Sequence, residues 1–143
     1  MKIDTFISTS VDETYKIASD LINSLENKRT NIFINGELGA GKTHFVKGIF
    51  KSLGFEKSPT SPTYDLVINY EIDNLKVNHL DLYRIETLNL EDEIWINQIL
   101  EEDALNIIEW GNKFNFENLE KAKIQINIFK LGEHERKIEI HYN

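Results

Sequence analysis

One octapeptide constrains this chain more than any other part of it. Gly36-Glu37-Leu38-Gly39-Ala40-Gly41-Lys42-Thr43 matches G-x-x-x-x-G-K-[ST] in full. Each position has a physical task. The glycines let the backbone curl until its N–H groups converge on an anion. The helix that should follow adds partial positive charge at its N-terminus. Lys42 can reach β- and γ-phosphates, and the Thr43 hydroxyl is a hard oxygen ligand suited to Mg²⁺. The context is the one such a loop needs. An apolar strand over Thr30 to Asn35, carrying Ile32-Phe33-Ile34, runs into it, and a helical pattern from Lys42 to Leu53 leaves it, with Gly54 placed to cap the end. A plain glycine-rich turn would leave the Lys42-Thr43 pair unexplained. The motif therefore predicts a P-loop that binds Mg-ATP, with Leu38, Gly39, Ala40, Gly41, Lys42 and Thr43 around the phosphates.

The flanking segments fill out an α/β pattern. Ile3 to Ser8 reads as a strand, and Ser10 followed by Glu13 is a capping-box signature. Tyr15, Ala18, Leu21, Ile22 and Leu25 then fall at helical spacing. Ser58-Pro59-Thr60-Ser61-Pro62 is held extended by its two prolines. Tyr64 to Glu71 and Leu75 to Asp81 read as strands joined by a tight turn at Asp73-Asn74. Leu90 to Leu100 reads as a helix, with Trp95 on an apolar stripe beside Ile94, Ile99 and Leu100, and Leu105 to Glu109 as a buried strand. Ala122 to Phe129 and Arg136 to His141 alternate apolar and polar residues around Leu131-Gly132-Glu133. The expected fold is a P-loop NTPase-like mixed sheet flanked by helices, closed by a C-terminal antiparallel hairpin, in a single domain over residues 1–143.

Composition narrows the function classes. Without cysteine there is no disulfide framework and no thiolate metal site, which fits a reducing cytoplasm. Met1-Lys2-Ile3-Asp4 does not open a signal peptide, and no stretch is long and apolar enough to span a bilayer, so no membrane role is expected. The net charge of −8 argues against direct capture of nucleic acid and suits solubility or docking on a basic protein.

A P-loop site needs an acidic residue at a strand end to hold Mg²⁺ or its waters. Asp81 and Glu109 both qualify. The strand ending at Glu109 is the more apolar and is expected centrally, beside the P-loop strand. His79 has no second His or Cys at ligand spacing and reads as structural. Trp110 could pack in the core or line a nucleotide pocket. Asn112-Lys113-Phe114-Asn115 falls short of the guanine-reading N-K-x-D by its last residue, and Asp81-Leu82-Tyr83-Arg84 lacks the glycine of D-x-x-G. ATP is therefore expected over GTP. A small-molecule kinase would need an arginine-rich lid, and none is evident.

Taken together, G-E-L-G-A-G-K-T at Gly36–Thr43, Ser61-Pro62-Thr63-Tyr64, His79-Leu80-Asp81-Leu82-Tyr83-Arg84 and Ile108-Glu109-Trp110 resemble the bacterial TsaE (YjeE) family in order and spacing over nearly the whole chain. The resemblance implies an ATPase subunit of the system that makes threonylcarbamoyladenosine in tRNA, with TsaD and TsaB as partners and tRNA reached only through their complex. It implies that Lys42 binds phosphate, that Thr43 and Glu109 hold Mg²⁺, and that Asp81 orients water or metal. Ser61, Pro62 and Thr63 would form a switch-like loop near the γ-phosphate, and adenine would sit near Ser10 and Thr14. The catalytic set is then Lys42, Asp81 and Glu109, with Thr14, Ser61, Thr63 and Trp110 added to the nucleotide site. Two features depart from the family pattern. The stretch from Ile85 to Trp95 lacks the usual glycine, and Gly111 stands where a proline often follows E-W. Ser58-Pro59-Thr60 duplicates the motif, and the second copy is aligned because Tyr64 follows it. Arg84 is a candidate arginine finger. Hydrolysis could drive a larger complex, or be incidental to an ATP-dependent binding module.

Overall fold

A computed structural model describes residues 2–37, 39–57, 67–82, 87, 89–110 and 123–143. Seven strands form one sheet in the order β1-β7-β6-β2-β5-β4-β3. They are β1 (Lys2–Ser8), β2 (Asn31–Gly36), β3 (Val67–Ile72), β4 (Leu75–Asp81), β5 (Leu105–Trp110), β6 (Ile124–Lys130) and β7 (Arg136–Tyr142). The helices are α1 (Val11–Ser24), α2 (Lys42–Leu53) and α3 (Leu90–Leu100). Strands β6, β2, β5 and β4 run parallel, and β1, β7 and β3 pair antiparallel at the flanks. This is the mixed sheet with a terminal hairpin that the sequence predicts, and β5 does lie beside the P-loop strand. Asp73 and Asn74 have φ of 49° and 65° and join β3 to β4 in a two-residue turn, the left-handed pair that matches strand twist.

Helices cover the central strands on both faces, so those strands are apolar on both sides. In β2, Ile32 and Ile34 point into a core shared with Ala18, Ile22, Phe45 and Ile49 of α1 and α2. Phe33 points the other way, into a second core with Leu80, Ile108, Trp110 and, from α3, Ile96 and Leu100. Gly48 sits where α1 and α2 touch. A Cβ there would lie 2.8 Å from the Ala18 Cβ and 3.0 Å from the Tyr15 Cα.

Two local expectations are revised. Ser10 caps α1 by accepting from the Glu13 amide at 3.1 Å, but Glu13 reaches back to Thr9, taking its amide at 2.8 Å and its hydroxyl at 2.7 Å. The reciprocal arm thus lands one residue early. In α3, Ile94 is 51% exposed and Ile96 is buried, so the buried face differs from the expected stripe; Trp95 and Ile99 are only partly buried against it.

A polar ladder fixes the strand register. Asn31, Asn106 and Asn78 are cross-strand partners on β2, β5 and β4. Asn78 Nδ2 donates to Asn106 Oδ1, and Asn106 Nδ2 to Asn31 Oδ1, each at 2.8 Å. A one-residue slip would break the row and send every side chain to the opposite face. The same register sets Asp81 beside Glu109, and Glu109 beside Ile34.

Candidate functional site

The site lies where the parallel strands end and α2 begins. Gly36 closes β2 in a confined place: a Cβ there would meet the Ile128 carbonyl at 3.0 Å and the Ala40 Cβ at 3.2 Å. Gly39 and Gly41 adopt φ of 81° and 110°, a region that favours glycine, and Gly41 is the N-cap of α2. Among the described residues, the loop thus combines two left-handed glycines with an opening directly onto a helix N-terminus, a setting that suits an anion. Leu38 lies outside the described residues.

Three charged side chains converge beside this loop. Lys42 is 8% exposed, and its Nζ donates to the Trp110 carbonyl at 3.4 Å. Burial pushes its ammonium pKa down, while the carboxylates of Glu109 and Asp81 pull the other way. Both acids stand at strand ends, side by side on β5 and β4, on the α2 side of the sheet. Glu109 is buried and Asp81 is partly exposed. Thr43, in the first turn of α2, is exposed. A hydroxyl at the helix start and a strand-end carboxylate are the hard oxygen donors that a cation such as Mg²⁺ takes, with its remaining ligands from phosphate and water.

His79 is tied to this group. Its Nε2 meets Glu109 Oε2 at 2.5 Å, both side chains are buried, and its Nδ1 has no hydrogen-bond partner among the described residues. The sequence read His79 as structural, and the contact it makes is with the Glu109 carboxylate. Trp110 packs its indole edge-on to Phe33 at 5.5 Å, so its core contacts are clear, and its backbone oxygen rather than its ring meets Lys42.

A cavity of about 230 Å³ adjoins the loop, lined by Ser10, Thr14, Ala40, Gly41, His44 and His134 among others. It is somewhat smaller than the ~300–1,000 Å³ of typical drug-sized sites, which suits a single ring system. Thr14 is buried in its wall and shares a 2.7 Å hydrogen bond with Ser8. Ser61, Thr63, Arg84, Asn112 and Asn115 lie outside the described residues.

Sequence reasoning missed Arg136. Its Nε donates to the Ala40 carbonyl at 2.8 Å and its Nη2 to the Gly39 carbonyl at 3.3 Å, so it grips the P-loop from outside. No local pattern could have signalled a partner so distant in sequence.

Comparison with known proteins places the chain in a family. The family profile described as "Threonylcarbamoyl adenosine biosynthesis protein TsaE" matches residues 8–138. The tRNA threonylcarbamoyladenosine biosynthesis protein TsaE of Aquifex aeolicus is 34% identical over 138 residues, covering 94% of this chain and 93% of that protein. The Haemophilus influenzae protein of the same name is 34% identical over 113 residues, covering 79% and 71% of the two chains. The crystal structure of Bacillus subtilis YdiB shares the fold with a TM-score of 0.73 at 24% identity, covering 99% of this chain and 86% of that one.

Proposed function

The chain belongs to the TsaE family of tRNA threonylcarbamoyladenosine biosynthesis, and from that premise we propose that it is the pathway's Mg-ATP-binding and ATP-hydrolysing subunit, acting with TsaD and TsaB. The observation that carries the reading is the convergence of Lys42, Glu109 and Asp81 beside a glycine loop that opens onto α2.

Each residue then has a role. The P-loop amides and the α2 N-terminus receive the phosphates. Lys42 meets the β- and γ-phosphates, whose charge adds to that of Glu109 and Asp81 and offsets the hydration its ammonium loses on burial. Thr43 and Glu109 would hold Mg²⁺, with His79 fixing the Glu109 carboxylate. Mg²⁺ would supply charge neutralisation at the phosphates. Asp81, partly exposed at the neighbouring strand end, orients the attacking water. The cavity by Ser10 and Thr14 takes the adenine, adjoining the phosphate loop through Ala40 and Gly41.

Isothermal titration with Mg-ATP tests the core of this. The native chain should bind, and Lys42→Ala should lose at least about 1.5–3 kcal/mol, a charge-assisted contact. Its far-ultraviolet circular dichroism should be unchanged. Equal affinity in a folded Lys42→Ala protein would remove the P-loop reading.

A further inference from the structure

All three nitrogens of the Arg136 guanidinium donate to backbone oxygens. Beyond the P-loop carbonyls of Ala40 and Gly39, its Nη1 donates to Gly132 and Glu135 at 2.8 and 3.0 Å, and to Glu133 at 3.4 Å. One side chain thus joins the turn between β6 and β7 to the phosphate loop, two segments that sequence holds far apart. The planar fork of an arginine suits this task, because its donors leave in fixed directions. A Cβ at Gly41 would stand 3.8 Å from the Arg136 Nε, an ordinary contact, so it is the φ of 110° and not clearance for Arg136 that calls for glycine there.

The consequence follows from peptide geometry. The described peptide bonds are trans, and a trans peptide sets its carbonyl and its N–H on opposite sides. Holding the Ala40 carbonyl outward against Arg136 turns the Gly41 N–H the other way, into the concavity of the loop. The Ala40 N–H is already committed to the Glu37 carbonyl at 2.9 Å, which shapes the turn. The turn residues Glu133 and His134 meanwhile line the cavity beside the loop. We infer that Arg136 is a positioning residue: it presets the P-loop for phosphate and ties it to the rim of the neighbouring cavity. Arg136 also lines that cavity, so exchange of the loop without ligand, rather than KM alone, separates positioning from direct contact with a bound molecule. The inference rests on the nucleotide reading above only for its effect on ATP, not for its effect on the loop.

Two measurements on Arg136→Met and Arg136→Lys decide it. The first is hydrogen–deuterium exchange of the nucleotide-free chain. Residues 36–43 and 131–135 should exchange faster in Arg136→Met, with β2 and β5 unaltered. Unchanged exchange in both segments would overturn the inference whatever the ligand is. The second is steady-state ATP hydrolysis. KM for ATP should rise about tenfold or more as preorganisation is lost, with kcat at saturation retained. Arg136→Lys, which keeps the charge but not the fork, should fall between native and Met, and serves as the readout if Arg136→Met does not fold. A loss confined to kcat, or reduced thermal stability with native KM and native loop exchange, would refute a positioning role. If the native chain itself does not bind ATP, the function proposal fails, and the exchange experiment still judges Arg136.

Discussion

The two strand-end acids show how little separates their roles chemically and how much separates them structurally. Glu109 is buried against His79, so its carboxylate has one orientation; Asp81 is partly open to water. Glu109→Gln should therefore raise the Mg²⁺ concentration needed for half-maximal ATP binding by about tenfold or more, as loss of a fixed ligand does. Asp81→Asn should leave that midpoint near native and reduce turnover by about a hundredfold. Mg²⁺ titrations of ATP binding, run beside single-turnover assays, separate the two, and the reverse pattern would exchange the roles. A different carboxylate, Glu102, should make a small contribution to acid stability. Hydrogen bonding from Lys76, at 2.8 Å, is the main cause holding its pKa below the ordinary glutamate value, with Asn78 contributing. A folded pKa below the unfolded one means the stabilisation is complete above the unfolded value of about 4.3 and disappears as pH falls through the folded value. The side chain is over a third exposed, so water screens it and the gain is at most about 1 kcal/mol. Urea midpoints of native and Glu102→Gln protein should differ at pH 7 and converge in acid. A gap that persists at pH 3 would assign the effect to packing instead.

At the scale of elements, the contact between α1 and α2 positions both the P-loop helix and the wall bearing Thr14. Gly48→Ala should tighten the helix by about 1 kcal/mol through propensity. The new methyl would meet Tyr15 backbone and the Ala18 Cβ within 3.0 Å, and backbone cannot swing aside. Overpacking of about 1–3 kcal/mol should win. The urea midpoint should drop, and ATP affinity should fall with it as Thr14 and His44 move apart; a stabilised protein would show that the helices separate freely. The same elements explain what could be read from sequence. The bounds of α2 were legible because Gly41 and Gly54 punctuate both ends, and the turn at Asp73-Asn74 because those residues tolerate left-handed backbone. The buried face of α3 was not, because Leu90, Ile94, Trp95, Ile96, Ile99 and Leu100 surround the helix and periodicity selects no side. His79 looked solitary because Glu109 reaches it only through the pairing of β4 with β5. The Asn31–Asn106–Asn78 row and the Arg136 grip have the same origin. Local propensity writes the elements, while tertiary pairing writes the contacts that orient the site.

For the whole molecule, the decisive question is whether the nucleotide state is passed to a partner. The proposed site joins a phosphate loop to the strand-end carboxylates of the sheet, and the sequence adds the Ser58–Thr63 segment, which lies outside the described residues and whose two prolines restrict its backbone. A γ-phosphate and its Mg²⁺ that hold such a segment would release it after hydrolysis, which is the usual logic of a nucleotide switch. The net charge of −8 makes independent tRNA capture unfavourable and favours a basic protein surface. The chain should therefore co-elute with a TsaD–TsaB complex in gel filtration when ATP is present, and separate from it with ADP or without nucleotide. Lys42→Ala should fail to associate under any condition, since it cannot report the γ-phosphate. Raising salt from about 0.05 to 0.5 M shortens the screening length severalfold, so an electrostatically steered complex should weaken over that range. Isolated turnover should be slow and should rise when the partners are added, because stabilisation of the transferring phosphoryl group can arrive in trans. Association that ignores nucleotide would refute the switch and leave a binding module whose ATP is structural. Partner-independent turnover with no association would leave an ATPase that works alone.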